Sequence, residues 1–198
     1  LQVGDEHYPG EIRLKGDWTD HLKTAKWSFR IKLADDKALQ GKRSFSIQHP
    51  ETRLFMTEWL MHKWFKAEGV LTTSYDFVNV SVNGVHKGVY AREEHFEKQL
   101  PESQKRREGV ILKLDETMFW KKQATIDEFY WGGLNLPEAQ MAATLPFKEK
   151  KTLKSEVLRA QFGVGLNLLE KLKSFDFDLS NYIDIDLLAK QYAIQILF

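Results

Sequence analysis

The stretch VNVSVNGVHKGVYAREEH, from Val78 to His95, decides how the first half of this chain is read. Asn83-Gly84 between alternating valines is the strongest short hairpin signal, because both central residues of a type I′ turn need positive φ. A two-residue loop predicts the pairs Val82–Val85, Val80–Lys87 and Val78–Val89 on one face. The opposite face then carries Ser81–His86, Asn79–Gly88 and Phe77–Tyr90, continuing to Arg92 and Glu94. On this register the valines belong to the core. The other face offers a glycine with room for a flat group, an aromatic plate, an arginine and the carboxylate Glu94. Tyr90 either stacks on a ligand there or packs on Phe77, with Arg92 paired to a surface glutamate.

The strands upstream repeat the alternation. In EIRLKG, Ile12 and Leu14 share one face while Arg13 and Lys15 take the other. In WSFRIKL, Trp27, Phe29, Ile31 and Leu33 point one way, and Ser28, Arg30 and Lys32 the other. A polar arch, GDWTDHLKTAK, joins them and adds Lys23 and Lys26. KRSFSI is a third strand with Phe45 and Ile47 inward. Four to six positive charges around a loop over a sheet suit an anionic ligand such as phosphate, or form a solvated lysine face. Neither G-x-x-x-x-G-K-[ST] nor G-x-G-x-x-G is present.

Pro50 introduces a helix over 52–68, stopped by Gly69, whose apolar stripe is wide enough to bury most of it. After the hairpin come a charged helical stretch, EKQLPESQKRR, and a strand at GVILKLDE. Residues 116–146, with Gly132-Gly133, Pro137 and Pro146, read as an inserted loop; helices follow at 148–173 and 184–198. Strands first and helices later is an α+β order, here an antiparallel sheet with packed helices. The organisation expected is one domain: a β-rich part over 1–115, the loop, and a helical part over 147–198.

A net charge of +1 gives no mandate for nucleic acid or an anionic membrane, and no apolar run reaches the ~18 residues a membrane helix needs. No cysteine excludes disulfides and thiolate chemistry but leaves the compartment open, since many exported bacterial proteins also lack it. The opening LQVGDEHYPG is no signal peptide, and the closing AKQYAIQILF has no capping residue, so the chain reads as a piece of a longer one. Asp176, Asp178, Asp184 and Asp186 look like a metal cluster but suit helix caps better. Trp18, Trp120 and Trp131 fall in loops, where an exposed platform would sit.

Lys15-Gly16, the polar arch and Lys26-Trp-Ser-Phe-Arg-Ile-Lys32 together resemble the N-terminal motif of the spore-coat protein H (CotH) kinase family, R-G-x-x-S followed by K-K-S-Y-R-x-K. Asn83-Gly84, Gly88, Tyr90, Glu93-Glu94 and Lys113-Leu114-Asp115 follow in the family's order, over about residues 10–116. The resemblance implies a reduced, atypical protein-kinase-like fold that binds ATP with Mg²⁺ or Mn²⁺ and phosphorylates Ser/Thr hydroxyls of proteins. It implies that Tyr90 stacks adenine with Arg92, Glu93 and Glu94 on the ribose and phosphate side. Lys15, Lys26, Ser28, Arg30 and Lys32 are implied at the phosphates, with Lys113 a second candidate for a carboxylate-paired lysine. Lys15 replaces the family's arginine, losing bidentate geometry but keeping the charge. The family's catalytic aspartates and asparagine are expected beyond Phe198, so this piece alone would be inactive. The alternative is a non-catalytic module that binds polymer or peptide on the same scaffold.

Overall fold

The computed structural model describes residues 1–197 except 17, 18, 23, 98, 108, 116, 118–142 and 175–177; at 19, 20, 172–174 and 179 it describes backbone alone. Trp18, Lys23, Trp120, Trp131, Asp176 and most of the inserted loop therefore lie outside the described residues. Two compact units result, Leu1–Arg107 with Asp184–Phe198, and Glu108–Ile183. The fold is α+β, with antiparallel sheets and packed helices.

The first unit opens with a small hairpin, β1 (Gln2–Val3) and β2 (Glu6–His7). Its main sheet contains β3 (Gly10–Leu14), β4 (Phe29–Leu33), β5 (Ser44–Gln48), β6 (Tyr75–Val82) and β7 (Val85–Glu94), in the order β3-β4-β5-β7-β6. Every pairing is antiparallel. One face carries the core: Ile31, Leu33, Leu39, Phe45, Ile47 and Tyr90, with Tyr8, Phe29, Val78 and Val80 against them. The period of two that placed Ile31, Leu33, Phe45 and Ile47 inward thus holds in β4 and β5. Trp27 and the edge residues Ile12 and Leu14 stay exposed.

The hairpin turns at Asn83 and Gly84, with φ of 51° and 79° as a type I′ turn requires. Val82–Val85 and Ser81–His86 pair as the turn dictates, but Val80 then pairs with Gly88. Lys87 is an extra residue, and Gly88 beside it takes φ +79°, the backbone of a β-bulge. One inserted residue exchanges the two faces of everything beyond it. The pairs are therefore Val78–Tyr90, Phe77–Ala91, Asp76–Arg92 and Tyr75–Glu93, not Val78–Val89 and Phe77–Tyr90. Tyr90 joins the core face, and Glu93 goes to the other.

That other face receives a helix. Pro50–Arg53 forms a 3₁₀ turn closed by Leu54 and Phe55 in left-handed conformation, so α1 starts later than the sequence suggests and spans Thr57–Ala67. Trp59 lies against Phe77, with centroids 6.5 Å apart, and His62 stacks on Tyr75 at 5.3 Å. Phe65 packs with Val70 and with Ile194 of α5 (Ile185–Leu197). Leu54, Phe55, Met56, Leu60 and Trp64 remain exposed, so the stripe does not bury most of the helix. The stripe is wider than the two surfaces it meets, sheet and α5.

A short helix, α2 (Gln99–Ser103), follows β7. In the second unit β8 (Leu112–Asp115) pairs antiparallel with β9 (Ala143–Pro146), so the end of the expected loop is a strand. The helix expected over 148–173 is two, α3 (Glu149–Lys154) and α4 (Glu156–Ser174), because Ser155 is extended between them. Leu112 packs onto α4 at Gly165, where a Cβ would stand 2.8 Å from its methyl. Two of the four aspartates cap: Asp184 Oδ1 accepts the Leu187 N–H at 2.9 Å, and Asp178 Oδ1 that of Ser180 at 2.9 Å. No described helix is long and apolar enough to cross a membrane.

Candidate functional site

On the α1 side of the sheet the register sets one row of residues across all strands. Arg13 faces Arg30, Arg30 faces Ser46, Ser46 faces Glu93, and Glu93 faces Tyr75. Strand alternation puts Lys15, Ser28, Lys32, Ser44 and Gln48 on the same side. Few polar residues sit so deep by chance: Ser28, Ser44, Ser46 and Gln48 are all buried.

Lys15 ties this face together. Its ammonium donates to Glu93 Oε2 at 2.7 Å and to Gln48 Oε1 at 2.8 Å. The two charged side chains are only 13% and 22% exposed, so solvent screens the pair less than an ordinary surface bridge. Burial makes such a pair weak evidence for stability, yet it fixes where each charge points. Arg30 Nη1 lies 3.0 Å from His95 Nε2. Burial first, then the Arg30 charge, lowers the His95 imidazole to about 4. Gln48 Nε2 and Tyr75 OH are buried without a hydrogen-bond partner of good geometry among the described residues, and Glu58 Oε2 has Arg53 Nε at 3.3 Å. Burial pushes the Tyr75 hydroxyl up to about 12, partly offset by the nearby Gln48 amide.

The arch above this face is pinned at both ends. His21 Nδ1 meets the buried Ser28 hydroxyl at 2.9 Å, and the Ser28 N–H donates to the His21 carbonyl at 3.1 Å. The His21 ring occupies the place of a side chain on Gly16: a Cβ there would lie 2.1 Å from Cδ2, and φ is +111°. Gly16 is thus needed for close approach as well as for its backbone.

The structure brings Lys15, Arg30, Ser28 and Glu93 onto one face, with Lys32 further along β4 and exposed. It sets Tyr90, Arg92 and Glu94 on the other, a correction that follows from the Lys87 bulge. Tyr90 is 1% exposed within the apolar core, leaving no ring face open for stacking. Arg92 is spent on a bidentate pair with Asp76 (2.8 and 2.6 Å) and on Gln40 at 2.5 Å. Glu94 Oε2 accepts the Ser74 N–H at 3.1 Å. Lys26 crosses to the hairpin, donating to the Val89 carbonyl at 3.2 Å with its ammonium 5.8 Å from the Tyr90 ring centroid. Lys113 belongs to the second unit, exposed on β8 opposite Leu145. Gln48, Tyr75, His21 and His95 carry no motif that marks them in the sequence. The alternation of KRSFSIQ, carried two residues further, would have put Gln48 beside Ser46.

Along this row of described residues Arg13, Lys15 and Arg30 stand beside Glu93, with Gln48 and Tyr75 buried next to them, an arrangement that can accept an oxyanion. Among the described residues no group of His, Asp and Glu could hold a metal ion. No curated protein matches the chain. A family model described as CotH kinase protein matches residues 12–198, well past the motifs that end near 116. With nearly its whole length covered, the chain belongs to the CotH kinase family.

Proposed function

We propose that this chain carries the nucleotide-binding part of an ATP-dependent atypical protein kinase that phosphorylates Ser/Thr hydroxyls. The observation that carries the reading is the Lys15–Glu93–Gln48 knot beside Arg13 and Arg30, on the face that α1 covers. In protein kinases a lysine of the third strand pairs with a glutamate of helix αC and holds the phosphates. Here the third strand of the main sheet presents Gln48, α1 presents Glu58, and the lysine arrives from the end of the first strand. Lys15 is the substitute for the third-strand lysine.

ATP supplies the transferable phosphoryl group. The chain's own task is to receive and orient: Lys15 and Arg30 donate to phosphate oxygens, Arg13 adds charge beside them, and Glu93 keeps Lys15 aimed. Gln48 Nε2 and the Tyr75 hydroxyl, buried beside each other, offer further donors. His21, Ser28 and Gly16 fix the arch beside them. Mg²⁺ or Mn²⁺ is expected with the nucleotide, although the described residues provide no ligand set of their own for it.

Arg30→Ala tests the site. Loss of one charge-assisted contact removes about 1.5–3 kcal/mol, so ATP affinity measured by calorimetry should fall roughly tenfold or more. Unchanged affinity would take Arg30 out of the site. Absence of any ATP binding by the unaltered chain would favour the non-catalytic module. Transfer of label from ATP to protein hydroxyls is the corresponding assay on the natural full-length protein.

A further inference from the structure

We propose that His95 is a proton-carrying ligand of this site: an anionic oxygen enters between Arg30 and His95, and the imidazole takes up a proton as it does so. The inference rests on the phosphate-site reading above and adds a residue and a proton to it.

The geometry sets the protonation state. A guanidinium only donates, so His95 Nε2, 3.0 Å from Arg30 Nη1, must offer its lone pair. The ring is then neutral with its hydrogen on Nδ1. Among the described residues, Arg30 from β4, Arg13 and Lys15 at β3, and the Glu93 carboxylate from β7 act on it. From β5 the Ser44 carbonyl accepts the His95 backbone N–H at 3.1 Å. Burial first, and then these cations with Arg30 foremost, keep the imidazole neutral, with its pKa lowered to about 4.

An oxyanion between the two side chains reverses the charge and hydrogen-bond contributions, leaving burial in place. Its oxygen accepts the Arg30 N–H that had gone to Nε2, and its charge offsets the surrounding cations. Nε2 then binds a proton from solvent and donates that N–H to the same oxygen. One hydrogen bond breaks and two form, with the solvent buffer supplying the proton. A neutral histidine that only supported Arg30 would show no such uptake.

The test is calorimetry of ATP binding at pH 6.5 in buffers of low and high ionisation enthalpy, with the unaltered chain and with His95→Gln. Glutamine keeps a hydrogen-bonding side chain but does not titrate, and protons lost by ATP itself cancel in the comparison. For each ATP bound, the unaltered chain should take up roughly half a proton or more in excess of the uptake by His95→Gln. Its affinity should also fall more steeply between pH 6 and 8. Equal uptake in both chains overturns the role of His95 while leaving the ATP site standing; absence of binding overturns both. Where His95→Gln fails to fold, imidazole nitrogen shifts of the unaltered chain decide. A His95 ring that becomes cationic on saturation with ATP at pH 6.5 supports the proposal, and one that stays neutral overturns it.

Discussion

Tyr90 shows how far one residue's role depends on the face it occupies. Between Asn83-Gly84 and the acidic exit of β7 it looks available to a ligand, yet it is 1% exposed among Ile31, Leu33, Phe45 and Ile47. Burial raises its hydroxyl pKa for the same reason. Tyr90→Ala should therefore act on stability, costing about 3–5 kcal/mol through the lost transfer energy and the cavity. Urea unfolding measures this, and a loss below about 1 kcal/mol would contradict the core placement. Arg92, next on the same face, was legible as charged but not as spent. Its bidentate partner Asp76 stands on the neighbouring strand, where only the shifted register puts it opposite.

At the scale of elements, the bulge is the device that matters. A type I′ turn fixes the first two pairs from sequence, but nothing in HKG announces that Lys87 will be left out of the ladder. Glycine with positive φ at Gly88 is compatible with a bulge and also with a ligand lying on the strand. The two readings set opposite faces for the rest of β7. Deleting Lys87 should remove the bulge and leave the ladder beyond it as it is, with Val80 opposite Gly88, Val78 opposite Tyr90 and Asp76 opposite Arg92. Such a chain should keep a cooperative unfolding transition in circular dichroism, whereas inserting a second residue beside Lys87 should abolish it; loss of the transition on deletion would mean that the ladder needs the bulge itself. Helix α1 shows a related limit. Its periodicity located it, but Leu54 and Phe55 in left-handed conformation delayed its start, and the width of its stripe exceeded the surfaces that meet it.

For the molecule as a whole, the polar face links stability to pH. His95 is held neutral, with its folded pKa near 4 against about 6.5 unfolded. Between those values the unfolded chain binds more protons, so stability is fully present above about pH 6.5 and is lost as pH falls toward 4. With the ring partly exposed, the loss attributable to it is of order 2 kcal/mol rather than the full span of the shift. Urea midpoints at pH 7, 5.5 and 4.5 should fall in the unaltered chain, and more shallowly in His95→Gln. Parallel curves would mean that carboxylates alone set the acid limit. The overall charge of +1 hides this behaviour, because a balanced total says nothing of three cations converging on one ring.

The sequence by itself determined the elements and most of their inward faces. Period-two alternation in β4 and β5, the Asn83-Gly84 turn, the helix stop at Gly69 and the aspartate caps are local effects, settled within a few residues of chain. It also determined the family, since order and spacing of short motifs survive without knowledge of contacts. Tertiary structure alone decided which face carries the candidate site. That choice turned on one unpaired residue in β7 and on long-range partners for each charge: Gln48 and Glu93 for Lys15, His95 for Arg30, Asp76 for Arg92. Side-chain pairing across a sheet repeats every second residue, so a single-residue shift is nearly invisible in sequence and complete in its consequence.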